Sequence, residues 1–201
     1  MIVTRIEAYN RTKFSVFIDG ELAFCLYKGE LNKYGLREGE PIRPEKYEEI
    51  LHVLLPKRAK LRCMNLLQTK SYTRKQLTEK LLSGQYPPDV VEEALSYVES
   101  FGYVNDLAYA VSYVEDHMDK KSMRSMEEEL RRRGISRDDV EEALHQVQER
   151  EGEQDEEGMI RALLEKKHYD PETADLKERR RVEAFLFRRG FAPDKIRKVM
   201  G

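Results

Sequence analysis

Chemistry in this chain would have to come from few side chains. Four histidines (His52, His117, His145, His168) and two cysteines (Cys25, Cys63) are scattered through 201 residues. None falls into HExxH, CxxC or any Cys/His grouping, so the spacing that holds a metal is missing. No Gly-x-Ser-x-Gly elbow and no Walker A loop occurs either. The paired carboxylates Glu92-Glu93, Glu127-Glu128-Glu129 and Glu141-Glu142 are helix-surface patterns. One stretch stands apart, the aromatic run "FGYVNDLAYA" from Phe101 to Ala110, in which Asp106 could be read as an acid. With no nucleophile, base or cofactor loop beside it, a catalytic role has no support. The chain is read as a non-enzyme that needs no metal or cofactor.

Arginine is the other resource. Arg131, Arg132 and Arg133 follow Leu130, and Arg188 and Arg189 follow Leu186 at the equivalent point. One cation at a helix C-terminus is enough to answer the macrodipole, worth ~0.3–1 kcal/mol. The surplus implies an anionic surface to be met. Lys70, Arg74 and Lys75 add a third cluster. These eight residues are the candidate contacts.

The net charge of −2 conceals alternating blocks. Residues 57–85 hold eight Lys/Arg against one acid, and 86–119 hold eight acids with no Lys or Arg. Seven basic and three acidic residues follow in 120–137, then ten acids with only Arg150 in 138–158; 177–201 carries nine basic against three acidic residues. Both signs together suit a mixed protein and nucleic-acid surface better than bare DNA. Neutralisation of basic helices by acidic neighbours fits the same pattern.

The elements that position these groups repeat. Leu81, Leu130 and Leu186 are each preceded by four residues by Leu77, Met126 or Val182, an apolar i, i+4 pair of a buried helix stripe. Five residues after each leucine comes Tyr86, Ile135 or Phe191, and eight after it Asp89, Asp138 or Asp194, at or near the next N-cap. Gly134 and Gly190 occupy the left-handed stop position; Gly84 is one residue early, with Gln85 in the slot. Thr73 and Gln76 form a T-x-x-Q capping box. An apolar helix precedes each pair (Leu61–Leu67, Tyr109–Val114, Met159–Leu164), which gives three helices, three times.

Ahead of the repeats, "KFSVFIDGELAFCLY" reads as a hairpin on Asp19-Gly20, and "IVTRIEAY" as a third strand. A two-residue turn pairs Val16 with Ala23. A three-residue loop pairs Phe14, Val16 and Ile18 with Leu26, Phe24 and Leu22, and burial favours it. Pro44 opens a helix to about Leu55, and Pro56 restarts one. The fold class is mainly α: an elongated array of three three-helix repeats (56–104, 105–157, 158–201) behind a β-hairpin-containing N-terminal piece (1–55).

In this frame Gly102 is a helix stop, Tyr103 and Val104 pack back, and Asn105 or Asp106 caps the next helix. That makes the stretch a structural joint. Tyr109 and Tyr113, spaced i, i+4, belong to a packed stripe rather than a base-stacking platform. No run reaches the ~18 apolar residues of a membrane span, and no apolar h-region opens the chain. A soluble cytoplasmic monomer with reduced cysteines is expected.

"VVEEALSYVES" followed by "FGYVNDLAYA", together with "MEEELRRRGIS", resembles the RecX regulatory protein family, from about residue 58 onward. The family's Arg-x-Arg-Ser-x-x-Glu-Leu run stands here as Lys70–Leu77 with a tyrosine at Tyr72, and Ser122 replaces a glycine. The resemblance implies tandem three-helix repeats and a partner, the RecA protein and its DNA filament, whose polymerisation, ATPase and strand exchange the chain would inhibit or modulate. It thereby implies a role in recombination, DNA repair and the SOS response. The alternative is a helical-repeat protein that contacts single- or double-stranded DNA directly, without a recombinase.

Overall fold

Asp19 and Gly20 both sit at positive φ, 49° and 94°, the backbone that a two-residue primed turn requires. They join β2 (Lys13–Ile18) to β3 (Glu21–Tyr27), and β1 (Val3–Ala8) completes an antiparallel sheet in the order β1-β2-β3. Near the turn Ile18 faces Glu21 and Phe17 faces Leu22; farther on Val16 faces Phe24 and Phe14 faces Leu26. Ala23 is the extra residue of a bulge between them. The expected Ile18–Leu22 pair is therefore absent, as is Val16–Ala23. A bulge lets the tight turn coexist with the register that buries Val16, Phe24 and Leu26.

The structure, a computed structural model, describes residues 1–201. They divide into two compact units, Met1–Asn105 and Asp106–Gly201. In the first, the sheet is followed by α1 (Lys28–Tyr34), a helix absent from the sequence reading, and by α2 (Pro44–Glu49). The chain then stays helical through a π segment, Ile50–Leu54, into α3 (Leu55–Leu67). Pro56 restarts nothing. The Leu55 N–H reaches back five residues to the Ile50 carbonyl, and this wider turn relieves the clash a proline ring makes with the carbonyl four residues earlier.

α4 (Arg74–Leu82) and α5 (Pro88–Ser100) complete the first three-helix repeat. The second comprises α6 (Asp106–His117), α7 (Met123–Arg132) and α8 (Arg137–Glu151); the third, α9 (Glu156–Lys166), α10 (Leu176–Arg188) and α11 (Pro193–Met200). In each, the first and third helices pack along one another. The first repeat shares one core with the sheet, so Val16 and Phe24 belong to the same cluster as Leu77, Leu81 and Leu95. Repeats two and three have their own clusters around Leu130 and Leu186.

Helix ends follow the chemistry of their orphan groups. Thr73 accepts from the Gln76 N–H at 3.3 Å and its own N–H reaches Gln76 Oε1 at 3.2 Å, closing the capping box. Ser122 and Ser136 cap α7 and α8. Asp89, Asp138 and Asp194 stand two residues past the N-cap positions, in the first turns of α5, α8 and α11, where they meet the positive helix pole rather than cap it. At the other end of the second helices, the carbonyls of Leu81, Leu130 and Leu186 accept from Tyr86, Ile135 and Phe191 at 3.3, 3.2 and 3.3 Å. Between them a residue turns left-handed: Gln85 (φ 59°), Gly134 (90°) and Gly190 (87°). In the first repeat the glycine is offset because a Cβ on Gly84 would lie 3.2 Å from the Leu81 carbonyl and the Tyr86 ring.

Gly102 and Gly190 provide a graded test. Both are left-handed, at 69° and 87°, but a Cβ at Gly102 meets nothing while one at Gly190 would fall 2.5 Å from Ser122 Oγ, which donates to the Arg189 carbonyl. Gly102→Ala is expected to cost about 1 kcal/mol from backbone strain alone. Gly190→Ala should cost about 2–3 kcal/mol, since it also displaces that serine. Urea unfolding of the two variants checks the order; equal costs would show that the serine contact carries no weight.

Candidate functional site

The buried leucine stripes fix which cations can reach outward. In α7, Met126 and Leu130 face the core, so Arg131 and Arg132 beyond them are exposed. In α10, Val182 and Leu186 are buried and Arg188 and Arg189 are exposed. In α4, Leu77 and Leu81 are buried and Lys75 is exposed, as is Lys70 just before the helix. The second helix of each repeat therefore shows a cationic outer face. Arg124 and Arg180 stand in the register of Lys75, six residues before the buried leucine, and are exposed as well. The repeat alignment carried that signal, but the sequence reading took Lys75 as a candidate without its counterparts Arg124 and Arg180.

The eight candidates differ in what already holds them. Arg74 pairs with Glu92 at 2.5 Å and Glu99 at 2.8 Å on α5. Arg133, unlike Arg131 and Arg132, turns inward: it donates to the Tyr109 hydroxyl, stands 3.7 Å from Glu129 and lies 4.5 Å from the Tyr113 ring centre. Lys75 is 4.0 Å from Glu79, and Lys70 lies over the Tyr72 ring at 4.8 Å. Arg132 donates to the Glu128 carbonyl at 3.4 Å, and Arg189 lies over Phe185 at 5.1 Å. Arg131 and Arg188 take part in none of the second unit's salt bridges.

The acidic blocks have an internal use. α5 supplies Glu93 to Lys60 of α3 at 2.7 Å, and α6 supplies Glu115 to Arg150 of α8 at 2.9 Å. α9 supplies Glu156 to Lys195 at 2.9 Å and Glu157 to Lys198 at 2.5 Å, both on α11. The first and third helices of each repeat are thus joined across their charges. Glu156 is buried and its other oxygen accepts from the Met123 N–H at 2.9 Å, so one carboxylate serves the start of α7 and the side of α11.

Within the second repeat a polar group closes around Tyr113. Its hydroxyl donates to Glu129, while Lys121 Nζ lies 2.8 Å from both the Tyr113 hydroxyl and Glu129. Burial pushes the Glu129 carboxyl up, but hydrogen bonds from Lys121 and Tyr113 outweigh it and hold the group below its ordinary value. Burial likewise lowers Lys121, and its bonds to Glu129 and Tyr113 turn the net shift upward. Tyr113 is buried, and Tyr109 half-buried on the same face, in keeping with a packed stripe.

The aromatic stretch is split by role. Gly102 is left-handed and the Tyr103 N–H returns to the Val98 carbonyl at 3.0 Å, ending α5. Val104 packs inward at 6% exposure, whereas Tyr103 stays 51% exposed and stacks on Phe101 with centroids 5.8 Å apart. The inward packing expected of Tyr103 falls to Val104 alone. Asn105 immediately precedes α6 and Asp106 lies in its first turn. The histidines have separate surroundings: His52 beside Glu48, His145 beside Glu149, His117 stacked on Tyr113 and His168 in a left-handed turn. Cys25 and Cys63 are buried and unbridged, and burial pushes the Cys63 thiol up to about 11. No helix is long and apolar enough to cross a membrane.

Three successive three-helix units with cationic outer helices define a tandem helical-repeat protein. Family models bear this out domain by domain: residues 59–97 match the first three-helix domain of RecX, 105–144 the second and 155–200 the third. The regulatory protein RecX of Caldanaerobacter subterraneus subsp. tengcongensis is 32% identical over the whole of this chain and 98% of its own length. That of Bacillus subtilis is 27% identical over 98% of this chain and 75% of its own. The chain belongs to the RecX family of regulatory proteins. A crystal structure of a regulatory protein RecX shares the fold with a TM-score of 0.63 at 21% identity, covering 98% of both chains. RecX from Lactobacillus salivarius does so at 0.58 and 22%, over 73% of this chain and 94% of its own.

The Glu129 group makes a pH prediction. A carboxyl held low in the folded state contributes stability above the ordinary carboxylate range and loses it as pH falls through the lowered value. Glu129→Gln should therefore cost about 1–2 kcal/mol at neutral pH and leave a flatter decline of stability between about pH 5 and pH 2. Chemical unfolding across that range checks it; an acid limb as steep as the parent's would remove Glu129 from the acid response.

Proposed function

We propose that this chain binds the RecA recombinase assembled on DNA and restrains its polymerisation, ATPase and strand exchange, in the cytoplasm, during recombination and DNA repair. The observation that carries the reading is the full, ordered set of three RecX three-helix domains, matched over the whole chain by a relative of nearly the same length. The physical character of the surface supports it. A nucleoprotein filament offers phosphates beside mixed protein charge, and recurring cations on α4, α7 and α10 can meet several such points at once. Each contact is weak alone; arrayed on one chain they act at high effective concentration.

A second reading, direct nucleic-acid binding without a recombinase, is favoured by α10, where Arg180, Arg181 and Arg188 are exposed and carry no salt bridge. Salt separates the two. Binding that rests on phosphate contacts alone loses affinity steeply with rising salt, while a protein–protein contact retains part of it.

The direct test is RecA's DNA-dependent ATPase and strand exchange with and without the chain. Inhibition at substoichiometric or equal amounts is expected, and no effect at one chain per recombinase subunit would sink the reading. Replacing Arg131 and Arg132 by Ala should weaken inhibition about three- to tenfold with stability kept. Arg133→Ala should instead lower stability by about 1–2 kcal/mol, because it strips cover from Tyr109 and Tyr113.

A further inference from the structure

The first unit holds a groove of about 480 Å³ among the sheet, α3 and the end of α4, with four cations and no carboxylate in its lining. Neither the candidate residues above nor the family match assigns it a role. We propose that it binds a segment of single-stranded nucleic acid, its phosphates held by Lys13, Arg62 and Lys80 and a base laid against Tyr9 and Tyr27.

Charge is the first reason. The fourth cation, Arg58, is committed: it stands 2.8 Å from Glu30, donates to the Cys25 carbonyl at 3.3 Å and lies over the Tyr27 ring at 4.5 Å. It forms the floor. Lys13, Arg62 and Lys80 take no part in the salt bridges of this unit. Lys13 lies 5.1 Å over Tyr27 and Lys80 5.5 Å over Tyr72, contacts that steady a cation without neutralising it. Three cations outside the unit's salt bridges thus share one concavity with no carboxylate in its lining, and concavity focuses their field.

The second reason is the state of the α4 C-terminus at the rim. A helix C-terminus presents bare carbonyls that repel an anion. Here they are engaged: Lys80 accepts from Ser83 Oγ, Leu81 from the Gly84 and Tyr86 N–H groups, Leu82 from the Gln85 N–H, and Ser83 from the Tyr9 hydroxyl at 2.6 Å. The negative pole is quenched where Lys80 projects. The Tyr9 bond also pins that ring by its hydroxyl while leaving it 43% exposed; Tyr27 is 40% exposed. Partly exposed tyrosine rings and cations are the two components of sequence-tolerant single-strand binding, in which a base can take the place of Lys13 over Tyr27 as Lys13 turns to a phosphate. A duplex hides its bases and would leave the tyrosines unused. An acidic peptide would satisfy the cations but gain little from the rings.

The test needs no recombinase, so its outcome is independent of the filament reading. Fluorescence anisotropy of the intact chain with a labelled oligothymidine of about fifteen nucleotides is measured across a salt series. The parent should bind with marked salt dependence. The Lys13→Gln/Arg62→Gln/Lys80→Gln variant, shown by circular dichroism to be folded, should bind at least tenfold more weakly, with a log–log salt slope shallower by about two. Arg180→Gln/Arg181→Gln/Arg188→Gln should retain the groove's share. A 4-thiothymidine oligonucleotide, photo-crosslinked to the parent, should attach to peptides containing Tyr9 or Tyr27. Unchanged binding by the folded groove variant would overturn the proposal, as would crosslinks confined to residues 106–201. Competition by polyglutamate at equal charge concentration would overturn it in favour of an acidic peptide.

Discussion

One backbone reversal recurs throughout this protein and most of its architecture depends on it. A leucine or valine carbonyl in the last turn of a helix accepts the N–H of the residue five positions on, and the residue just before that donor turns left-handed. Leu31 and Leu36, Leu81 and Tyr86, Val98 and Tyr103, Leu130 and Ile135, Leu164 and Tyr169, and Leu186 and Phe191 all make this bond. The left-handed residues are Gly35, Gln85, Gly102, Gly134, His168 and Gly190. The bond satisfies carbonyls that would otherwise be orphaned, and it brings apolar side chains from both sides of the turn together. Because a helix advances by about 100° per residue, a fixed stopping point also fixes which of the last side chains face outward. Arg131 and Arg133 are two residues apart, and this rotation sends one to solvent and the other onto Tyr113.

The same bond explains what the sequence could and could not reveal. Four of the six turns carry a glycine, and three of these, Gly102, Gly134 and Gly190, made the three-helix unit readable together with the leucine spacing. Gln85 and His168 carry a Cβ that disfavours the left-handed region, so no propensity marks them. Gln85 is held there from afar: its side chain accepts from Ser15 Oγ at 2.6 Å across 70 residues of sequence. Turn chemistry and burial seemed to demand different hairpin registers, and a bulge at Ala23 satisfied both. Pro56 looked like a boundary because proline usually is one, yet one wider turn absorbed it. α1 has only seven residues and no amphipathic run to announce it. Local rules gave each element its type; long-range contacts settled the exceptions.

Charge behaves likewise. The alternating blocks were plain in the sequence, but two uses fitted them, meeting a partner or neutralising a neighbour. The structure shows which residues are neutralised by a neighbour. Lys60, Arg74, Arg150, Lys195 and Lys198 are matched by acids on adjacent helices. Exposed pairs of this kind add little stability each, but they remove those cations from the free field of the surface. Unmatched charge then concentrates at the outer helices and in the groove beside the sheet.

This division bears on how a chain with net charge −2 can engage an anionic partner. Net charge governs attraction at distances beyond the ~8–10 Å over which salt screens, and there this molecule is almost neutral. At contact range local clusters decide. A protein so arranged gains little from long-range steering toward bare DNA. On the proposed filament reading, contact is favoured where cationic patches meet anionic points, and the acidic faces penalise a broad surface of uniform negative charge. Under that proposal the acidic helices would contribute to the choice of partner as much as the arginines do.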